Sequence, residues 1–300
     1  MNQVQNLILS GGAIFGVAYG SVLSVLDEIG ALSNLKGLAG TSVGAWVACL
    51  LAVGYSGAEI RYMMLNEFTY SSLIGEMSPL RMLLSSTAYG LNDGNQMLQM
   101  IRTKIRDKVG NDKLTFRQLK DQLGKDLKVY VTNLNLGLCQ ELSCATEPNM
   151  EIALAVRAST SMPIIFDPVL YKGDFLVDGG MLNNFPKTAF PPENTIGFIF
   201  VQSLSADPSQ KGEPTREPIN TRFDFLNQVL ICTMRDSKSH AREVAGLAIC
   251  EIETGQLTSR DFQLTQEERM HLDWLGYKSI CIWLQRMAAS LSDRDNEIIT

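Results

Sequence analysis

Ser42 lies in Gly40-Thr41-Ser42-Val43-Gly44, with small residues two before and two after it. That spacing matches the Gly-x-Ser-x-Gly elbow, where a strand turns sharply into a helix and holds a serine hydroxyl at the tip. Glycines suit it because the backbone is strained and neighbouring chains approach closely. The apolar run 45–53 has no Pro or Gly and can continue as a buried helix whose N-terminus faces Ser42. Free N–H groups and partial positive charge at that end favour developing negative charge. A Gly-bracketed turn that merely contains Ser has the same composition.

A serine hydroxyl is a weak nucleophile and needs a base within hydrogen-bond reach. The chain has two histidines, His240 and His271, and an aspartate, Asp178, that ends an apolar run before Gly179-Gly180. An aspartate held in such a turn can reach into a site, or can simply cap its own turn. A conventional hydrolase order would be Ser42, Asp178 and then a histidine. Both histidines, however, sit inside charged helical patterns and read as helix-surface residues. If neither serves, Asp178 is the best-placed direct base.

The third feature is Ser10-Gly11-Gly12-Ala13-Ile14-Phe15-Gly16, between a short apolar run and a helical pattern. A Walker loop needs Lys and then Ser/Thr after its last glycine, and Val17-Ala18 stand there. A dinucleotide fingerprint needs a glycine where Ala13 stands, together with an acidic ribose ligand. Two readings remain open: backbone N–H groups aimed at an oxyanion, and a tight strand–helix turn.

The elements that must position these groups follow from pattern. Val4–Leu9 reads as a buried strand, residues 17–29 as a helix ended by Gly30, and Gly37-Leu38-Ala39 as a second strand feeding the elbow. Two successive strand–loop–helix units point to an α/β sheet with parallel strands, whose functional loops lie at the strands' carboxyl ends. Ser42 and the 11–16 loop would then be neighbours. Ser56-x-x-Glu59 and Thr265-x-x-Glu268 match capping boxes opening helices. Asp93 can cap a helix over 95–108, and 115–123 reads as another. Residues 127–132 and 140–144 suit a hairpin, 151–158 a buried helix, and 169–171 with 174–177 two strands joined by Lys172-Gly173. Strands are expected at 196–201 and 247–252, and helices at 221–245 and 265–289. The Met- and Leu-rich stretch 69–95 suits helical packing, a flap over an apolar pocket, or a lipid-touching surface. Residues 204–220, with three prolines, are the best boundary, dividing a core over 1–203 from a helical extension over 204–300 on the same domain.

Composition narrows the classes. A 300-residue chain can bury a large core. Its net charge of −6, without a basic run, argues against nucleic acid and against steady attachment to anionic membranes. The N-terminus lacks the positive region of a signal peptide, and no apolar run approaches the ~20 residues of a spanning helix. Six cysteines without a Cys-x-x-Cys pair read as reduced core residues with no metal site. The expected location is intracellular or peripheral to a membrane, and an exported effector without a cleaved signal would share these features.

Together, Leu9 to Tyr19, Gly40 to Ala45, Ala158-Ser159-x-x-x-Pro163 and Asp178-Gly179-Gly180-x-x-Asn183-Asn184-x-Pro186 resemble the patatin-like phospholipase family. The blocks occur in the family's order over about residues 4–203, and Thr265 to Tyr277 is similar to its closing helix. The resemblance implies a three-layer α/β/α fold with a mostly parallel sheet, and a Ser–Asp dyad without histidine. Ser42 would form an acyl-enzyme and Asp178 would act as base. The amides of Gly11, Gly12 and Ala13 would form the oxyanion hole, with Gly16, Gly40, Gly44, Gly179 and Gly180 as motif support. It implies no calcium or other cofactor, a phospholipid or other acyl-lipid substrate, and transient contact with a membrane surface. Two positions depart from the family pattern: Ala13 stands for a common Gly, and Phe15 for Arg or Lys. Ala13 keeps its N–H donor unless the loop requires positive φ there. Phe15 removes a charge near the loop, which bears on preference for anionic phospholipids.

Overall fold

Eight strands form one mixed sheet because the most apolar runs of the chain pair with one another through its centre. A computed structural model describes residues 4–69, 78, 88–201, 246–255, 257 and 263–298, with side chains to residue 290. The Met- and Leu-rich stretch 69–95, read from sequence as helical packing, a flap or a lipid-touching surface, therefore lies mostly outside the described residues. The loop over 204–220, the helix over 221–245 and His240 lie outside them entirely.

In chain order the elements begin with β1 (Asn6–Leu9), a 3-10 turn (Ala13–Ala18), α1 (Tyr19–Glu28), β2 (Gly37–Thr41), α2 (Val43–Ala52) and α3 (Gly57–Asn66). Then come β3 (Gly90–Asn92), α4 (Asn95–Val109), α5 (Phe116–Leu123), β4 (Asp126–Asn133), β5 (Leu138–Ser143) and α6 (Ile152–Ser159). The remainder is β6 (Ile164–Phe166), β7 (Val169–Tyr171), β8 (Asp174–Asp178), β9 (Thr195–Val201), β10 (Ala248–Glu253) and α7 (Gln266–Ile298). The helix expected from Val17 starts earlier as the 3-10 turn and becomes α-helical only at Tyr19. Two short strands, β3 and β6, pair in parallel as a separate ladder and had no periodicity to announce them.

The main sheet runs β10-β9-β1-β2-β4-β8-β7, with β5 on β4. Strands β10, β9, β1, β2 and β4 are mutually parallel, while β5, β7 and β8 run antiparallel to their neighbours. Local chemistry sets the helix starts. Ser56 with Glu59, and Thr115 with Gln118, form reciprocal capping boxes, and Thr265 Oγ1 accepts from Glu268 N while the Glu268 carboxylate accepts from Thr265 N. Each satisfies two donors that a helix start leaves orphaned. Asp93 Oδ1 accepts from the Asn95 amide at 2.9 Å, just ahead of α4.

The sheet is the middle layer of a three-layer α/β/α fold. Leu7, Leu9, Leu38 and Val129 join one core with α1, α2, α4, α5 and α6. Ile8, Ala39, Tyr130 and Ile199 point to the other face, onto Phe185, Ala189 and Leu247. This alternation is the period-two consequence of strand geometry. Asp273 of α7 accepts on its carbonyl from Ser21 Oγ of α1 at 2.5 Å and pairs its carboxylate with Arg61 of α3, so α7 is bolted to both helices. Cys49 and Cys250 are fully buried as expected, but Cys139, Cys144 and Cys281 are only partly so.

Candidate active site

Strand β4 brings Ser42 and Asp178 together. Its residues Lys128–Asn133 pair with β5 along one edge, so β2 and β8 must share the other. Strand β2 runs up that edge until Thr41 lies beside Tyr130; β8 runs down it until Asp178 lies beside Val131. The two strand ends therefore meet head-on, and the residue after β2 faces the last residue of β8. Ser42 Oγ donates to Asp178 Oδ2 at 2.7 Å.

At Ser42 the backbone has φ 54° and ψ −126°, a left-handed geometry that is uncommon for residues with a side chain and is the turn of a nucleophile elbow. The side chain is 7% exposed. Close approach explains the flanking glycines: a Cβ on Gly44 would lie 2.2 Å from Leu9 O, and one on Gly40 2.4 Å from the Gly44 carbonyl. Helix α2 starts at Val43, so its N-terminus is at the serine. The Ser42 amide donates to Ser159 Oγ at 2.9 Å, and Ser159 Oγ donates in turn to Tyr130 O at 2.6 Å. Ser159 thus pins the elbow to β4. It belonged to a quoted motif, but residue type alone did not reveal this role.

Asp178 is 1% exposed and fully tied. Oδ1 accepts from Gly180 N at 2.7 Å, which leaves Oδ2 to the serine. Its amide donates to Ser161 O at 2.9 Å, and its carbonyl accepts from Thr132 Oγ1 at 3.0 Å. Gly179 packs where a Cβ would be 2.3 Å from Tyr130 O. Behind Ser161 stands Arg157, buried, whose guanidinium donates to Ser161 Oγ and to the carbonyls of Gly94, Asp93 and Asp167. Burial lowers its pKa to about 10, and the nearby Asp167 and Asp93 carboxylates oppose that shift.

The 11–16 loop enters beside the serine. Gly11 does not offer a free donor, as the sequence reading expected: its amide donates to Asn184 O at 2.9 Å, while Asn184 Nδ2 donates to Gly11 O at 3.0 Å. This reciprocal pair fixes the loop to the segment after Asp178. The amides of Gly12 and Ala13 have no acceptor among the described residues. Ala13 adopts φ 49°, so the loop does require positive φ there. Its N–H remains a donor, at the steric expense of a left-handed alanine. Gly16 abuts Val43, where a Cβ would be 2.2 Å from Val43 Cγ2. Phe15 is turned into a satellite cluster with Val17 and Leu272 of α7, its ring 5.9 Å from that of Phe200, and it does not line the site.

Ser42 and Asp178 open onto a cavity of about 140 Å³. Its walls are chiefly apolar, including Trp46, Phe68, Met97, Met162 and Phe166, and Arg269 is the one basic side chain among the described residues that line it. His271 is exposed on α7 and stacks on Trp274 with centroids 6.0 Å apart, outside the cavity lining. No helix among the described residues is long and apolar enough to cross a membrane.

The family model for patatin-like phospholipases matches residues 7–190. An uncharacterised protein, R571, of Acanthamoeba polyphaga mimivirus is 32% identical over 285 residues, covering 93% of each chain. A probable lipid hydrolase, 463L, of Invertebrate iridescent virus 6 is 31% identical over 186 residues, 61% of each chain. In three dimensions VipD from Legionella pneumophila superposes with a TM-score of 0.61 at 19% identity, over 95% of this chain and 67% of that one, a likeness of fold. This chain belongs to the patatin-like phospholipase family.

Proposed function

We propose that the protein hydrolyses acyl esters of lipids through a Ser42–Asp178 dyad and an acyl-enzyme intermediate. The observation that carries this reading is the 2.7 Å hydrogen bond from Ser42 Oγ to Asp178 Oδ2 at the wall of an apolar cavity. The carboxylate accepts the serine proton as Oγ attacks the ester carbonyl carbon. The C=O electron pair moves onto oxygen, and the amides of Gly12 and Ala13 are the free donors for that oxyanion, supported by the α2 N-terminus. Collapse re-forms the carbonyl and breaks the ester C–O bond, with the Asp178 proton passing to the departing alcohol. A water then loses a proton to Asp178, attacks the acyl-enzyme and releases the fatty acid, and the proton returns to Ser42 Oγ. Fixing Oδ1 by Gly180 keeps Oδ2 aimed at the serine throughout.

The lipid class rests on the cavity, whose methionines and aromatics suit an acyl chain. Fatty-acid release from phospholipid vesicles tests the reading. Ser42→Ala should abolish it, and Asp178→Asn should lower turnover by roughly 10²–10⁴, the usual contribution of a positioned base. Near wild-type turnover in either variant overturns the dyad.

A further inference from the structure

Arg269 is a buried cation with no acid paired to it among the described residues. It lies in the first turn of α7, is 5% exposed, and borders the cavity that holds Ser42 and Asp178. Nη1 donates to Met64 O at 2.8 Å and Nη2 to Phe68 O at 2.7 Å, carbonyls at and just beyond the C-terminal end of α3. Those contacts use two of its five N–H groups. The other arginines that tie elements together are neutralised: Arg61 by Asp273, and Arg102 by Glu151. Arg157 has Asp93 and Asp167 beside it. Arg269 has no carboxylate partner among the described residues, and burial lowers its pKa with nothing opposing.

Desolvating an unpaired guanidinium is costly, and capping two carbonyls does not by itself require a full charge. A helix C-terminus compensates only part of a full charge. The remaining N–H groups, in a planar fork that matches phosphate, therefore have no acceptor among the described residues at the wall of the cavity.

We propose that Arg269 is a specificity-determining residue: its guanidinium binds a phosphate oxygen of a lipid whose acyl ester lies at Ser42, favouring phosphate-bearing acyl lipids over neutral glycerides. The inference rests on the hydrolase reading above. Loss of one charge-assisted hydrogen bond to phosphate corresponds to roughly 10- to 100-fold in affinity or kcat/KM.

The test uses 1-oleoyl-lysophosphatidylcholine and 1-oleoylglycerol in neutral detergent micelles, lipids that differ only in the phosphate-bearing head group. Wild type should prefer the former. Arg269→Gln, which removes the charge, should cut the ratio of kcat/KM on the phosphate-bearing lipid to that on the neutral one by roughly 10- to 100-fold; Arg269→Lys should be intermediate. Equal losses on both lipids, or no change on either, overturn the proposal. Binding of the non-hydrolysable ether analogues to the Ser42→Ala protein, read by tryptophan fluorescence, separates the two ideas. Phosphate-dependent binding without wild-type turnover leaves the subsite standing and removes the hydrolase reading. Equal binding of both ether lipids removes the subsite, and needs no change at Arg269.

Discussion

Ser42 should be a place where glycine is more stable than alanine. Both Ser42→Ala and Ser42→Gly delete Oγ and leave Asp178 Oδ2 without its serine donor, so that loss cancels between them. What differs is the backbone, held at φ 54° and ψ −126°. A left-handed residue with a Cβ is strained by about 1–2 kcal/mol, and glycine is not. Against this, glycine loses about 0.4–1 kcal/mol more on folding, because its unfolded chain is freer. The net expectation is that Ser42→Gly exceeds Ser42→Ala by about 1 kcal/mol, or about 2–4 °C in Tm. At an ordinary helix position the order reverses, with alanine ahead by about 0.5–1 kcal/mol. Parallel denaturant and thermal melts of the two variants give the sign directly. An alanine variant as stable as the glycine one, or more so, would refute the claim that the elbow stores strain.

Two further outcomes follow from buried groups. Ser159→Ala orphans the Ser42 amide and the Tyr130 carbonyl together, each costing about 1–3 kcal/mol, so Tm should fall by several degrees and turnover should drop with it; a Tm unchanged from wild type would show that the bridge is not needed. Burial pushes the Cys49 and Cys250 thiols up to about 12 from an ordinary value of 9.0. Their folded state holds the proton longer than the unfolded one, so their contribution is whole below pH 9 and is lost as pH rises towards 12. Each thiol should steepen the fall of stability by up to about 1.4 kcal/mol per pH unit. Cys49→Ala/Cys250→Ala should flatten that slope between pH 9 and 10, and an unchanged slope counts against it.

The parts legible in the chain were those whose physics is local. Ser56 and Glu59, or Thr265 and Glu268, satisfy their helix starts within four residues, so the sequence shows the cap and the structure repeats it. Apolar runs such as Thr195–Val201 are strands wherever they fold, and 138–143 found its hairpin partner next door. The serine elbow was readable too, because its pattern is five residues long and Gly40 is demanded by the nearby Gly44 backbone, although Gly44 itself is demanded by Leu9 O on the neighbouring strand. Two short strands, β3 and β6, escaped notice because three residues make no period, and their pairing spans a long stretch of chain.

The Ser42–Asp178 contact spans 136 positions, and no local rule connects them; both chains had to share one edge of β4 before the hydroxyl could face the carboxylate. Tertiary packing likewise decided that Gly11's amide is spent on Asn184 while those of Gly12 and Ala13 find no acceptor among the described residues, since Gly11's acceptor comes from a segment far along the chain. It turned Phe15 away into the α7 contact, and it brought Arg269, on that same helix, to the wall of the cavity. The sequence determined which groups could do chemistry, because residue type and turn geometry are properties of a few neighbouring residues. Which of them meet, and which donors are left unspent, depends on strand order and on hydrogen bonds closed across the fold, and only the tertiary structure decides those.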